Sequence, residues 1–192
     1  RKKFIELELL KKSKRKNLTI EISDKLLNEV TDLVNKPNIL ACKFDDKFLQ
    51  IPKEILITTM QFHQKYFHTF DNKGNITTNF LVVANNKDNK GFIKSGNERV
   101  VNARLSDAQF FWEKNKSNNL VKQVSKLKLI NYFKGLGTYF DKIQRMRKLG
   151  GMISDELLIS KEKVEISATI CKVDLLSDIV GEFPELQGIM GS

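Results

Sequence analysis

Few residues in this chain are spaced to do chemistry by themselves. Asp174 and Asp178 stand four apart in a stretch that reads as helix, which would put them one turn from each other. Paired carboxylates of that kind hold a divalent ion or move protons. Neither has a neighbouring histidine, and Lys172 is close enough in sequence to be a counterion, so an ion pair or a cap is the competing reading. The only histidines, His63 and His68, are five apart. On a helix they would point about 140° away from each other, whereas a helical metal pair is spaced at four. Cys42 and Cys171 lie outside any C-x-x-C spacing, which indicates neither a zinc ribbon nor a disulfide framework and suits a reducing, cytoplasmic setting. Gly135-Leu136-Gly137-Thr138 stands before a helical pattern, where free N–H groups and the helix dipole favour a phosphate, yet it lacks the further glycines and the lysine of a nucleotide fingerprint. The expectation is a chain with no catalytic residues, no metal and no cofactor of its own.

Charge carries more information than any of these pairs. The 192 residues hold 33 Lys+Arg against 23 Asp+Glu, a formal net charge of +10, but 27 of the bases are lysine, and such a bias can be compositional. Its distribution is uneven. Residues 1–16 carry a net +6, residues 17–115 only +1, residues 116–153 nine bases against the single acid Asp141, and residues 154–192 a net −5. A compositional bias alone does not leave 38 residues almost free of acid beside an acidic stretch, so residues 116–153 read as a phosphate-contacting surface, with a solvated helical face as the bland alternative. Tyr132, Phe133 and Tyr139 interleave with its lysines. The basic start is weaker, because a lysine-rich chain end is often mobile.

The elements that must position these residues follow from periodicity. Residues 4–10 predict a helix running into the basic 11–16, and residues 17–22 a short strand. Ser23 caps a helix in which Leu26, Leu27, Val30, Leu33 and Val34 recur at three and four residues, ending before Pro37. Residues 39–44 read as a strand, with residues 48–51 pairing to it across Asp45-Asp46-Lys47. Pro52 opens a helix reaching Tyr66 or Phe67. Residues 69–71 and 76–85 flank Asn72-Lys73-Gly74-Asn75 as an antiparallel hairpin, and the unbroken Phe80-Leu81-Val82-Val83-Ala84 predicts a strand buried on both faces. Residues 85–96 read as a loop. From Glu98 the pattern turns helical and stays so: a helix with Val101, Leu105, Ala108 and Trp112 inward, a boundary at 114–119, helices over 120–130 and 139–153, and a last long helix capped by Ser160 with Val164, Ala168, Cys171, Leu175 and Ile179 inward. No apolar run approaches the about 18 residues of a membrane span. The fold class predicted is α+β: a mixed α/β module with a small sheet over residues 1–115, then an all-helical region over 116–192.

Three long runs carry a family signature. They are Ile51-Pro52-Lys53-Glu54-Ile55-Leu56 leading into His63-Gln64-Lys65-Tyr66-Phe67; Gly96-Asn97-Glu98-Arg99-Val100-Val101-Asn102-Ala103-Arg104-Leu105 with Ser106-Asp107-Ala108-Gln109-Phe110-Phe111; and Cys171-Lys172-Val173-Asp174-Leu175 through Glu182-Phe183-Pro184-Glu185-Leu186-Gln187-Gly188-Ile189-Met190-Gly191. With Leu136-Gly137-Thr138 and the following Asp141-Lys142 and Arg145, they resemble the β subunit of bacterial glycyl-tRNA synthetases in order, over residues 24–191. The resemblance implies an α2β2 heterotetramer that joins glycine to tRNA with ATP and Mg²⁺, its class II catalytic core on the α subunit and its tRNA-positioning surfaces on the larger β subunit. It implies a cytoplasmic protein of which this chain, opening on Arg1, is an internal piece, followed by further helices and an anticodon-binding domain. It also implies that the first module is related to one in the β subunit of the phenylalanine enzyme. The second region would be the incomplete opening of a degenerate HD-like domain, since Val173 precedes Asp174 where metal-dependent HD phosphohydrolases carry histidine.

On this reading Lys134, Lys142, Arg145 and Arg147 are the tRNA-phosphate candidates. Arg99 and Arg104 are candidates for tRNA or for intersubunit ion pairs, and Lys65 and Lys172 are motif members whose competing role is structural pairing. An HD-type metal phosphohydrolase and a structural adaptor docking the α subunit are the alternatives.

Overall fold

The computed structural model describes residues 1–116 and 119–191, and the chain divides into two units, Arg1–Phe110 and Phe111–Ser192. In the first unit, helix α1 (Lys2–Lys14) leads through the two-residue strand β1 (Thr19–Ile20) to α2 (Asp24–Leu33). Ser23 caps α2 by accepting from the Leu26 N–H at 3.2 Å, as its position before the apolar periodicity requires. Leu33 departs from the expected inward stripe: it is 66% exposed, because the helix ends there and Val34 takes the buried place.

Strand β2 (Asn38–Lys43) pairs along its whole length with β4 (Ile76–Ala84), not with residues 48–51. Those residues wind into a 3-10 turn, Asp46–Gln50, which Asn102 helps to start by taking the Asp45 N–H at 2.9 Å. Phe48 is buried within it, and the longer β4 offers β2 an uninterrupted register. The helix after Pro52 is shorter than its apolar pattern suggests: α3 (Lys53–Thr58) loosens into a π-turn, Thr59–His63, and Phe67 already belongs to β3 (Phe67–Phe70). Lys65, with φ of 58°, makes the reversal. The sheet order is β1-β3-β4-β2, antiparallel throughout its pairings. The β3–β4 turn forms as expected, with Gly74 at φ 80° and the Asp71 carboxylate accepting from the Lys73 and Asn75 N–H groups, each at 2.8 Å. The Asn75 side-chain amide also donates to Asp71 at 3.0 Å, and that bond first, with the backbone bonds, holds the Asp71 carboxyl below its usual range.

The unbroken run in β4 is buried on both faces. Leu81 joins Ile5, Leu9, Leu27 and Val30 of α1 and α2, while Phe80 stacks on Phe44 and Tyr66 with ring centroids 6.4 and 5.1 Å away. Helix α4 (Phe92–Lys116) begins six residues before Glu98, because the Asp88 carboxylate accepts from the Ile93 and Lys94 N–H groups at 3.1 and 2.8 Å. Glu98 on α4 accepts from the Lys43 N–H, which occupies part of the open edge of β2.

Two groups of this unit give measurable consequences. Burial pushes the Cys42 thiol up to about 12, whereas Cys171 in the second unit is exposed. A disulfide exchange reagent at neutral pH is expected to label Cys171 promptly and Cys42 only on unfolding; equal labelling rates would contradict the buried placement. His68 is 1% exposed, its Nδ1 sits 3.3 Å from the Gln61 amide nitrogen, and its Nε2 is buried without a partner. Burial therefore lowers its pKa from the ordinary 6.5, with Glu21 opposing. Below pH 6.5 the unfolded chain takes up the proton that the fold resists, so stability falls as pH drops, by at most about 1.4 kcal/mol per unit from this group. Urea midpoints at pH 7.5 and 5.5 check this: His68→Phe is expected to show the smaller acid loss.

In the second unit the ten residues Leu120–Leu129 are 3-10 rather than α-helical, and a hairpin of β5 (Asn131–Phe133) and β6 (Gly137–Thr138) interrupts what reads as an all-helical region. Helix α5 (Tyr139–Glu156) packs against α6 (Lys161–Ile170), which Ser160 caps. Their approach is close enough that a Cβ on Gly150 would lie 2.8 Å from Val164. Leu127, Ile143 and Val173 form the core. The expected last long helix is broken into α6, a 3-10 turn over Val173–Leu176 and α7 (Asp178–Glu182). α6 ends at Ile170, and the Ser177 hydroxyl divides the 3-10 turn from α7 by donating to the Asp174 carbonyl at 2.6 Å while accepting from the Val180 N–H at 3.2 Å. No described helix is long and apolar enough to cross a membrane.

Candidate nucleic-acid interface

Lys134, Lys142 and Arg145 lie on the β5–β6 hairpin and the first two turns of α5. Lys134 is exposed in the turn, which closes through the Leu136 N–H donating to the Phe133 carbonyl at 3.0 Å with Gly135 at φ 82°. Lys142 lies with its Nζ 3.9 Å from the Tyr132 ring centroid and 5.8 Å from that of Tyr139. The two tyrosines meet edge to face at 5.3 Å, so the ammonium rests on a fixed aromatic floor. Arg145 is exposed further along α5, and Lys128 places its Nζ 4.7 Å from the Phe140 ring centroid.

The one acid of the stretch is committed elsewhere. Asp141 accepts from the Thr138 N–H at 2.7 Å and the Thr138 hydroxyl at 2.8 Å, while Thr138 accepts from the Asp141 N–H, closing a capping box. Those bonds, the Thr138 N–H first, hold its carboxyl below the usual range, with Arg145 and Lys128 adding to the effect. The helix N-terminus behind Gly135-Leu136-Gly137-Thr138 is thus filled by a carboxylate of the chain itself. This agrees with the missing nucleotide fingerprint in Gly135-Leu136-Gly137-Thr138. Gly137, at φ 79°, permits the closure, since a Cβ there would overlap the Asp141 carboxylate.

Arg147 faces α6, donating to Glu165 and to Gln144 at 3.3 Å each, with its Nε buried. Lys172, half-buried, precedes the Val173–Leu176 turn. Arg99 and Arg104 are exposed on α4 in the first unit, and Lys65 in that unit pairs with Glu29 at 2.7 Å. Arg145 and Lys128 therefore act on the same Asp141 that neighbours Lys142 in the chain, while Lys134 is exposed in the hairpin turn. Sequence reasoning placed Lys128 in the basic block but had no means to seat it on Phe140, because a 3-10 winding and a helical one present different faces.

Asp174 and Asp178 form no carboxylate pair. Asp174 is 1% exposed and accepts from the Gly188 N–H, whereas Asp178 pairs with Lys114 at 3.0 Å. Among the described residues, no group of three or more His, Cys, Asp or Glu side chains is placed to hold a metal ion.

Comparison with known proteins agrees with the sequence signature. The family model for the glycyl-tRNA synthetase beta subunit matches residues 1–192. The glycine–tRNA ligase beta subunit of Thermodesulfovibrio yellowstonii is 44% identical over 193 residues, covering 100% of this chain and 28% of that protein. Those of Listeria monocytogenes and Geotalea uraniireducens are 42% and 40% identical, again over 100% of this chain and 28% of theirs. The chain thus spans little more than a quarter of the length of these relatives. Matched from end to end at this identity, it belongs to the glycyl-tRNA synthetase beta subunit family.

Proposed function

We propose that this chain is a tRNA-binding part of a glycine–tRNA ligase β subunit, holding tRNA(Gly) for ATP- and Mg²⁺-dependent glycylation at an active site on the α subunit of an α2β2 complex in the cytoplasm. The observation that carries the reading is the cation–aromatic surface of the hairpin and α5, where Lys128, Lys134, Lys142 and Arg145 lie in a stretch whose single carboxylate is taken up by a helix cap. Cations whose one neighbouring carboxylate is already bonded suit sugar–phosphate contact, which positions a nucleic acid without reading its sequence. Arg147, held by Glu165, is a stabilising residue in this proposal rather than a phosphate contact. The second unit acts as a binding scaffold of degenerate HD type. The test is the affinity of the full-length subunit, in complex with its α partner, for tRNA(Gly) across a salt series, before and after the cations of this surface are removed. Unchanged affinity and salt dependence would overturn the placement.

A further inference from the structure

We propose that the β5–β6 hairpin is a stacking platform for an unpaired RNA base, with Phe133 as the ring that receives it. The inference deepens the function proposed above and rests on it. The two aromatic neighbours on β5 differ in their surroundings: Tyr132 packs against Tyr139 and Lys142, whereas Phe133, beyond the irregularity in the ladder, is 67% exposed. Its partner across the ladder is Gly137, which has no side chain to shield the ring. The support is firm, because the turn is closed by the Leu136 N–H, Gly135 and Gly137 hold left-handed backbone, and the capping box fixes the junction with α5.

A large exposed ring is ordinarily the mark of an apolar partner surface. Here Lys134 is its immediate neighbour in the chain and Lys128 and Lys142 belong to the same basic stretch, whose only acid is bonded internally. That combination fits a nucleotide, which offers a flat π-face and a phosphate together. A paired A-form helix keeps its bases stacked and its major groove too narrow for a side chain, so the recognised element is an unpaired nucleotide, from a single-stranded 3′ end or from a loop.

The experiment uses the full-length subunit in its complex and three synthetic RNAs: a blunt duplex, the same duplex with a short single-stranded 3′ extension, and the same duplex closed by a loop. Phe133→Ala is expected to weaken binding of the extended or the looped RNA by about tenfold to a hundredfold, to leave the blunt duplex unchanged, and to be rescued by Phe133→Trp. Whichever RNA responds identifies the source of the base. An equal loss on all three RNAs, or no loss on any, would overturn the inference while leaving phosphate binding in place. Loss of α-subunit association at unchanged RNA affinity would make Phe133 a protein-docking residue and would overturn it too. Failure of the unsubstituted complex to bind any of the RNAs or tRNA(Gly) would instead remove the function on which it rests. The thermal midpoint of Phe133→Ala is expected to be unchanged, as suits an exposed ring, so a folding defect is distinguishable.

Discussion

Replacing Lys134, Lys142 and Arg145 together by glutamine is expected to lower tRNA affinity by about one to two orders of magnitude near 0.15 M salt, and to flatten log K against log salt by about two to three units. Each cation that neutralises a phosphate releases roughly one condensed counterion, so both effects scale with the number of phosphates no longer neutralised. Lys142 is expected to give the smallest share, because its ammonium already rests on Tyr132 at 3.9 Å and must leave or share that ring to reach a phosphate. Arg147→Gln is the informative contrast. It removes one such charge, but from a guanidinium bonded to Glu165 and Gln144, so its effect is expected on the thermal midpoint and not on the salt slope. A slope unchanged in the triple variant would move the tRNA surface elsewhere, and a slope changed as much by Arg147→Gln would show that position and pairing on this face do not matter.

Asp174→Ala is expected to be the most destabilising of these substitutions, by about 2–4 kcal/mol in the second unit. The side chain is 1% exposed and its carboxylate is the acceptor for the Gly188 N–H, joining the turn after α6 to the segment beyond Pro184. Alanine would leave that N–H without its acceptor and open a void, and Gly191 packs so near that a Cβ there would sit 3.3 Å from the Asp174 carboxyl. Asp174→Asn keeps one carbonyl-type acceptor and is expected to retain much of the stability. Denaturant unfolding measures the loss, and hydrogen exchange at the Gly188 amide localises it. Alanine behaving like asparagine in both would show that the bond contributes little.

The same aspartate shows where reading the sequence stops. Four-residue spacing is a statement about a continuous helix, and the Ser177 hydroxyl that ends the 3-10 turn and caps α7 makes the spacing meaningless for Asp174 and Asp178. Ser177 is itself an N-cap signal, but an apolar pattern that continues through it masks the break. The 48–51 strand failed for a related reason. Pairing of β2 with β4 is decided by the longer register available at a distance in sequence, and a nearby run of apolar residues ended as a 3-10 turn burying Phe48. By contrast, Ser23, Ser160 and the Asn72-Lys73-Gly74-Asn75 turn behaved as their local chemistry dictates, since caps and turns are satisfied within a few residues.

By itself the sequence determined the α+β class, the doubly buried β4, the family and the basic stretch, because composition, periodicity and long ordered motifs survive without knowledge of contacts. Only the tertiary structure decided the partners of the charged side chains in that stretch. It turned Arg147 to Glu165, seated Lys142 on Tyr132 and Lys128 on Phe140, and filled the helix N-terminus with Asp141. The physical reason is that a charge is one property of a residue while its partner is a property of distance, and at about 3–4 Å the nearest carboxylate or ring settles whether a cation is left to meet a phosphate.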